Sequence, residues 1–300
     1  NFVPRDYYEV HGTFAAKSGT YIGRWFDESF TKNKENNDSE LKPERIWNLE
    51  RAEEIKAKCL GKPGIVTEES KPSTSMPPLL YDLTTLQREA NNKYGFSASS
   101  TLKIAQSLYE KHKVLTYPRT DSRALPEDYV KTAKDVIKAL TGSDFGTYAS
   151  KILDAGWVKP NKRVFNNAKV SDHFAIIPTT IMPKHLNQQE KLIYDMVLKR
   201  FLAVFFPAAE YLITTRITRV EGEPFKSEGK VLVVAGWLEV YGKEDQQDGD
   251  APALTPVEKD ERVATKEIEI KSLQTKPPAR FTEATLLSAM EGAGKLIEDE

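Results

Sequence analysis

The pattern of hydrophobic and polar residues changes character along the first eighty residues. Residues 7–14 and 21–26 are rich in aromatic and β-branched side chains and are separated by glycine and serine, which is typical of paired strands. Residues 43–60 carry apolar side chains at helical spacing. Three prolines within residues 68–78 indicate a crossover or hinge between domains. We therefore predict a domain boundary near residue 79.

Helical periodicity dominates from about residue 80 to residue 207, and strand character returns afterwards. Residues 211–218, 230–234 and 263–273 are again rich in β-branched side chains or alternate with polar ones. Residues 246–256 are acidic and contain glycine and proline, which indicates a loop. The predicted helical stripes are Leu83, Leu86 and Ala90; Leu102, Ala105, Leu108 and Tyr109; and Val130, Ala133, Ile137 and Leu140.

The order of strands, helices and strands predicts an α+β fold in which a helical domain is inserted into a β-rich hinge domain. An inserted domain must leave and re-enter the same partner, so we expect the two junctions, near 76–80 and 206–209, to lie side by side. The predicted segments are 1–79 and 208–275 for the β-rich domain, 80–207 for the helical domain, and 276–300 for the start of a further segment.

Composition limits the kind of partner and compartment. The 300 residues carry 43 basic and 44 acidic side chains and a net charge of -1, so an anionic partner must meet local basic patches rather than an overall field. Cys59 is the single cysteine, which excludes an internal disulfide framework and a cysteine-rich zinc site and favours the reducing cytoplasm. The longest apolar run, residues 201–206, is far too short to span a bilayer. We expect a cytoplasmic protein without a membrane partner.

One short stretch, residues 111–123 with the sequence KHKVLTYPRTDSR, gathers basic side chains around a tyrosine. Pro118 biases Tyr117 away from helical conformation, at the exit of a predicted helix. In an extended backbone Arg119 lies on the same side as Tyr117, and its guanidinium could hold a phosphate that the phenol attacks. The alternative is a tyrosine packed on Pro118 with Arg119 in a surface ion pair to Asp121. These residues alone leave both interpretations open.

A second basic stretch, residues 162–169, leads to His173 and an apolar step after it. A lone histidine is more often structural than a ligand, and no second histidine or cysteine stands at metal spacing. His173 remains a candidate proton donor or phosphate contact. Its role is open on this evidence.

Five segments stand in a fixed order along the chain: PPLLYDLTTLQ at 77–87, TLKIAQSLYE at 101–110, TYPRTDS at 116–122, HFAIIPT at 173–179 and PPARFTEATL at 277–286. Together they resemble the successive motifs of the type IA DNA topoisomerases, and the proline after Tyr117 and the sequence AIIPT at 175–179 resemble the bacterial topoisomerase III branch. By this resemblance Tyr117 would form a 5′-phosphotyrosyl bond with single-stranded DNA, Arg119 would steady the scissile phosphate, and His173 would contact the backbone beside it. Gln87, in the first segment, would contact DNA.

The resemblance also implies parts that these residues do not contain. The family carries a toprim domain with a glutamate for acid/base work and an acidic cluster for Mg²⁺, and the sequence has no comparable Asp-x-Asp cluster followed by a helix. We therefore expect a monomeric gate fragment of a multidomain topoisomerase, with no cofactor of its own and with the missing toprim domain of the same chain as a partner. Residues 276–300 would begin a truncated DNA-binding domain.

The implied function is transient cleavage of single-stranded DNA, strand passage and religation without ATP, giving relaxation or decatenation. The fragment alone is expected to bind DNA weakly, with salt-dependent affinity, and not to cleave it. The alternatives are another tyrosine transesterase, such as a recombinase or type IB enzyme, and a non-catalytic nucleic-acid-binding module in which Tyr117 is structural. The basic residues predicted to contact phosphates are Lys111, Lys113, Lys162, Arg163 and Lys169.

Overall fold

The computed structural model describes residues 2–31, 38–242 and 254–297. These residues form two compact units. The first draws on Asn1–Thr74, Glu210–Val234 and Gln247–Ala279, and the second on Ser75–Ala209, Ala235–Gln246 and Arg280–Glu300. Helices and strands are both abundant in the described part of the chain, which confirms the predicted α+β class.

The first unit is built on six strands that close into a barrel in the order β1-β2-β5-β4-β3-β6. Its interior is apolar and is filled by alternate residues of the strands, among them Val10, Phe14 and Phe225, none of which is exposed to solvent. The strands are β1 Asp6–Ala16, β2 Gly19–Trp25, β3 Pro63–Ser75, β4 Ala209–Val220, β5 Glu223–Val234 and β6 Arg262–Gln274. The strand predictions for 7–14, 21–26, 211–218, 230–234 and 263–273 are confirmed.

Two of these elements extend beyond or start later than the local pattern indicates. Residues 68–75 continue β3, because pairing inside the barrel supplies hydrogen-bond partners that local proline content does not reveal. The first compact unit ends at Thr74, and the crossover or hinge within 68–78 stays a prediction. Pro72 is tolerated because β3 is solvent-exposed there. Helix α1, Leu49–Cys59, begins six residues later than the 43–60 pattern suggests, since Ile46 pairs with Tyr8 of β1. Residues 246–253 of the predicted acidic loop lie outside the described residues.

The second unit packs the helical stripes around one apolar core. The predicted stripe of α4 is buried at Ala133, Ile137 and Leu140, and the long helix α6 buries ten of its residues on several sides. The N-cap side chains of Asp82 and Ser97 accept hydrogen bonds from the first turns of α2 and α3. The helices are α2 Leu83–Tyr94, α3 Ala98–Glu110, α4 Val130–Leu140, α5 Gly146–Asp154, α6 Gln188–Ala203 and α7 Glu283–Ile297.

The second unit also contains segments that lie outside the predicted 80–207 span. Helix α7 packs against α2, where Arg88 forms an ion pair with Glu291, and it also reaches the start of α3, where the Glu283 carboxylate accepts a hydrogen bond from the Ala98 amide at 2.6 Å. A 3₁₀ turn at Gly236–Val240 belongs to the same unit. The assignment of 276–300 to a separate domain stays a prediction.

Trp237, in that turn, contacts both predicted junctions. Its indole Nε1 donates to the Ser75 carbonyl at 2.9 Å, and its backbone N–H donates to the Pro207 carbonyl at 3.0 Å. Gly236 has a φ of +53°, and a Cβ there would lie 2.3 Å from the Ala208 carbonyl oxygen, so the turn needs glycine. The two predicted junctions therefore lie close together. The insertion itself stays a prediction.

No helix within the described residues is both long enough and apolar enough to cross a membrane.

Candidate active site

The candidate nucleophile lies on an irregular segment that follows α3. The helix ends when the Lys111 amide donates to the Ser107 carbonyl, and Lys113 then takes a left-handed φ of 57° that turns the chain away from the helix. Beyond the turn the backbone runs antiparallel to a distant segment, with Leu115 paired to Pro178. The turn at Lys113 and the pairing of Leu115 with Pro178 thus fix the position at which the irregular segment leaves α3.

Two threonines tie the residues on either side of Tyr117 to the segment that contains His173. The Thr116 hydroxyl donates to the Ala175 carbonyl at 3.1 Å and accepts from the Ile177 amide at 2.9 Å. The Thr120 hydroxyl donates to the His173 carbonyl at 3.0 Å. Tyr117 is therefore held between two side-chain hydrogen-bonded clamps.

This arrangement brings Tyr117 and His173 into direct contact, although they are far apart in sequence. Their ring centroids lie 4.4 Å apart with an interplanar angle of 47°. On another side the Tyr117 ring meets the edge of Tyr109 at 5.4 Å. Tyr117 is half-buried and His173 is exposed, so the pair lies at the surface of the helical unit.

Arg119 is exposed and faces α3. With the Gln106 amide oxygen turned towards it, that oxygen accepts from Arg119 Nη2 at 3.2 Å and from Nε at 3.1 Å. Asp121 instead accepts a hydrogen bond from the Ser171 hydroxyl at 3.0 Å. The surface ion pair between Arg119 and Asp121 that the alternative interpretation requires is therefore not the arrangement observed.

The remaining predicted DNA contacts occupy different environments. Lys111, Lys113 and Lys169 are exposed, and the Lys113 ammonium lies 5.7 Å from the centre of the Tyr109 ring. Lys162 is exposed but forms an ion pair with Glu127 at 2.5 Å. Of these four lysines, Lys113 is thus the one whose ammonium contacts the ring of Tyr109, which packs on Tyr117.

Arg163 and Gln87 are engaged in internal hydrogen bonds. The Arg163 guanidinium donates to the Pro77 carbonyl, and burial lowers its pKa, helped by the nearby charge of Arg123. Gln87 is 9% exposed, and its amide nitrogen donates to the Ala98 carbonyl at 2.9 Å. Both side chains support the fold, and their assignment as DNA contacts stays a prediction.

Sequence reasoning did not identify the side chains of α3 that complete the site. Tyr109 had been placed in an apolar stripe, and Gln106 was not singled out. The two residues stand three positions apart, which brings them to the same face of α3. That spacing shows that the two side chains share a face of α3, but it does not show that this face meets Tyr117 and Arg119.

A buried polar cluster holds the end of α3 in place. Glu190 accepts from the Ser107 hydroxyl at 2.7 Å and contacts His112 Nε2 at 3.2 Å. Burial acts to raise the pKa of Glu190, but hydrogen bonds from the Asn187 amide, Ser107 and His112 outweigh it and leave that pKa below its usual value. The cluster fixes the helix that carries Gln106 and Tyr109.

Neither a metal site nor a reactive thiol is found in the part of the chain that the structure describes. No group of three or more His, Cys, Asp or Glu side chains there could hold a metal ion. Cys59 is buried, and burial, together with the nearby Glu223 carboxylate, raises the pKa of its thiol to about 11. Tyr117, His173 and Arg119 stay the predicted reactive side chains of this site.

Comparison with known proteins adds independent information. A family model described as DNA topoisomerase matches residues 1–294. DNA topoisomerase 3 of Bacillus subtilis is 42% identical over 270 residues, covering 88% of this chain and 37% of that protein, and DNA topoisomerase 3 of Bacillus cereus is 47% identical over 243 residues, covering 79% and 33%. The chain thus spans about a third of the length of these relatives. A structure of full-length topoisomerase I from Thermotoga maritima superimposes with a TM-score of 0.66 at 25% identity, covering 97% of this chain and 44% of that one.

Proposed function

Because the chain belongs to the type IA DNA topoisomerases and is similar to their topoisomerase III branch, we propose that Tyr117 attacks a phosphodiester of single-stranded DNA. The observation that carries the proposal is the contact of 4.4 Å between the Tyr117 and His173 rings, at the surface of the helical unit. A tyrosine that served only the core would be enclosed by apolar side chains. Tyr117 instead lies beside a histidine on a segment that also carries an exposed arginine.

The proposed step exchanges one phosphoester bond for another. The Tyr117 oxygen bonds to phosphorus and loses its proton to a base, while the bond from phosphorus to the 3′ oxygen breaks and that oxygen takes up a proton. The products are a 5′-phosphotyrosyl ester and a free 3′-hydroxyl. Since the number of phosphoester bonds is unchanged, the reverse reaction reseals the strand without ATP.

Arg119 and His173 have separate roles in this proposal. The Arg119 guanidinium offers paired N–H donors to the phosphate oxygens, and its contact with Gln106 limits the directions it can take. His173 holds the backbone beside the scissile phosphate from the other face of the tyrosine ring. Strand passage between cleavage and religation would then give relaxation or decatenation by the whole protein.

Mg²⁺ belongs to this proposal only through another part of the protein. The described residues do not fit a metal site, so no step above passes through the ion. A toprim domain, as the resemblance implies, would hold it and supply the acid/base group. The 300 residues alone are then expected to bind single-stranded DNA weakly and not to cleave it. We also propose a monomer in the cytoplasm, with that toprim domain as an intramolecular partner.

The test is a covalent-adduct assay with the protein extended to the length of its relatives. End-labelled single-stranded DNA is incubated with wild type, Tyr117→Phe and Tyr109→Phe, and run on a denaturing gel. We expect an adduct with wild type and Tyr109→Phe and none with Tyr117→Phe. Tyr109→Phe is a matched control, because it removes the same oxygen from the neighbouring ring.

The position of the label separates the alternatives. A 5′-phosphotyrosyl ester retains a label at the 3′ end of the strand, whereas a recombinase or type IB enzyme would retain a label at the 5′ end. An adduct that persists in Tyr117→Phe, or one that carries the 5′ label, would contradict the proposal. DNA binding without any adduct would favour a non-catalytic module.

A further inference from the structure

The barrel unit contains a pocket of about 400 Å³ in which aromatic and cationic side chains alternate. It forms where β2 ends and where the chain approaches the start of α1. Its volume falls within the range of small-ligand sites. The lining residues used below are Trp25, Phe30, Lys42, Arg45, Trp47 and Arg51.

The two tryptophans are fixed by their surroundings. Trp25 is 8% exposed, and its indole nitrogen donates to Glu223 at 2.9 Å. Trp47 is half-buried, packs on Tyr7 at 5.9 Å between ring centroids, and carries the Arg5 guanidinium 4.6 Å from its ring centre. Trp47 is thus the tryptophan of the pocket that stays partly open to a ligand, and Tyr7 and Arg5 set its orientation beforehand.

The arginines of the pocket are already neutralised. Arg45 forms an ion pair with Glu40, and Arg51 contacts both carboxylate oxygens of Glu223 at 3.0 and 3.1 Å. They contribute flat surfaces more than net charge. Lys42 is exposed, and among residues 2–31, 38–242 and 254–297 no carboxylate lies within ion-pair distance of it. Asp27 also lines the pocket, and its carboxylate accepts hydrogen bonds from the Ser29 amide at 2.8 Å and the Ser29 hydroxyl at 2.6 Å. The pocket therefore offers ring surfaces, one lysine without a carboxylate partner among the described residues, and one carboxylate that Ser29 engages.

These features together select a flat ring that is linked to a single negative charge. Aromatic side chains bind unpaired bases by stacking whatever the base, and a lysine ammonium binds a phosphate as a point charge. An apolar side chain of a protein partner would make no use of Lys42, and a free anion would make no use of the rings.

We infer that this pocket binds one unpaired nucleobase of single-stranded DNA, with the adjoining phosphate on Lys42. The inference rests on the proposed function in one respect, that DNA is the substrate. It adds a holding site, meaning a site on the barrel unit that binds DNA without taking part in the chemistry of Tyr117.

The test uses the 300-residue chain and a short oligothymidylate, followed by tryptophan fluorescence and, with a labelled strand, by anisotropy. Stacking on Trp47 is expected to quench its emission. Trp47→Phe should keep most of the affinity and lose much of the quench, whereas Trp47→Ala should weaken binding on the order of tenfold. Circular dichroism checks that each variant is folded. If Trp47→Ala is not folded, the test relies on Trp47→Phe.

Lys42→Ala tests the phosphate contact through salt dependence. Removing one contact to a single strand should reduce the slope of log K against log salt by about 0.7. Lys266→Ala is the matched control, since it removes an exposed lysine of β6 in the same unit and should leave the slope unchanged. A full quench in Trp47→Phe, or an unchanged slope in Lys42→Ala, would overturn the inference. A quench produced equally by inorganic phosphate or by free indole would do the same.

The two proposals fail separately. The fluorescence titration requires no cleavage, so an adduct that persists in Tyr117→Phe refutes the nucleophile whatever the tryptophans report. Loss of the pocket effect with normal adduct formation refutes the holding site alone.

Discussion

Thr116→Val should loosen the segment that carries Tyr117 while leaving its backbone conformation accessible. Valine matches the shape of threonine but has no hydroxyl. The Ala175 carbonyl then loses a donor and the Ile177 amide loses an acceptor. Ala175 and Ile177 are almost completely buried, so neither group gains easy access to water.

The size of the effect follows from these two groups. A buried polar group left without a partner costs roughly 1–3 kcal/mol. Thr116 itself is half-buried, so water reaches part of the site and we expect the lower range, a loss of about 2 kcal/mol in the free energy of unfolding. For a unit of this size that loss lowers the melting temperature by about 4–8 °C.

Thermal unfolding followed by far-UV circular dichroism measures this change, because most of the helical signal comes from the second unit. Thr116→Ser is the matched control, since it keeps the hydroxyl and removes one methyl group, at a cost of about 0.8 kcal/mol or less. The barrel unit should unfold as in wild type in both variants.

Equal melting temperatures for wild type and Thr116→Val would refute the reasoning, because the two hydrogen bonds would then contribute nothing. A loss in Thr116→Ser as large as that in Thr116→Val would refute it in another way, by tracing the effect to packing.

Three further changes test other parts of the helical unit. Arg200→Met removes a buried cation that contacts Glu89, and because that carboxylate keeps some access to water we expect a loss of roughly 2–3 kcal/mol, measured by denaturant unfolding and contradicted by a loss below about 1 kcal/mol. The pKa of Glu190 is lower in the folded protein than its unfolded value near 4.5, so its ionised form stabilises the fold above pH 4.5 and this stabilisation is lost as the pH falls through the lower folded pKa. Glu190→Gln should therefore weaken the dependence of the melting temperature on pH below 4.5. A melting temperature that depends on pH as in wild type would contradict this expectation. Gly236→Ala forces a side chain into a left-handed turn and against the Ala208 carbonyl, so it should cost roughly 1–3 kcal/mol, whereas a stability equal to wild type in calorimetry would show that the turn can relax.

The parts of the fold that the sequence predicted are those with strong local periodicity. In α4, Ala133, Ile137 and Leu140 recur at helical spacing and are all buried. Their repeat marks the side of the helix that faces the core, whichever elements pack there, so a local pattern is sufficient. The barrel strands around Val10 and Phe14 were predictable for the same reason, since alternation along the strand reflects its buried side.

The sequence failed where distant contacts override local preference. The prolines of residues 68–78 gave no indication of a strand, yet the barrel supplies strand partners and β3 continues to Ser75. Ile46 is drawn to Tyr8 and delays the start of α1. Helix α7 contacts the start of α3 through the hydrogen bond between Glu283 and the Ala98 amide, which no local pattern encodes.

The residues of the candidate site also fall into those that the local sequence predicted and those that depend on distant contacts. Tyr117 and Arg119 lie two residues apart, and their pairing was visible in the chain. His173 was joined to them by resemblance alone, since no periodicity links residues so far apart. Gln106 and Tyr109 were hidden because helical spacing does not distinguish a side chain that faces a core from one that faces a neighbouring loop.

The hydrogen bonds of Thr116 and Thr120 couple the position of Tyr117 to that of His173. Because the hydroxyls of Thr116 and Thr120 both donate to carbonyls of the segment that carries His173, movement of the tyrosine segment is coupled to movement of the histidine segment. The separation between the two rings is thus less sensitive to such movement than the position of the pair as a whole.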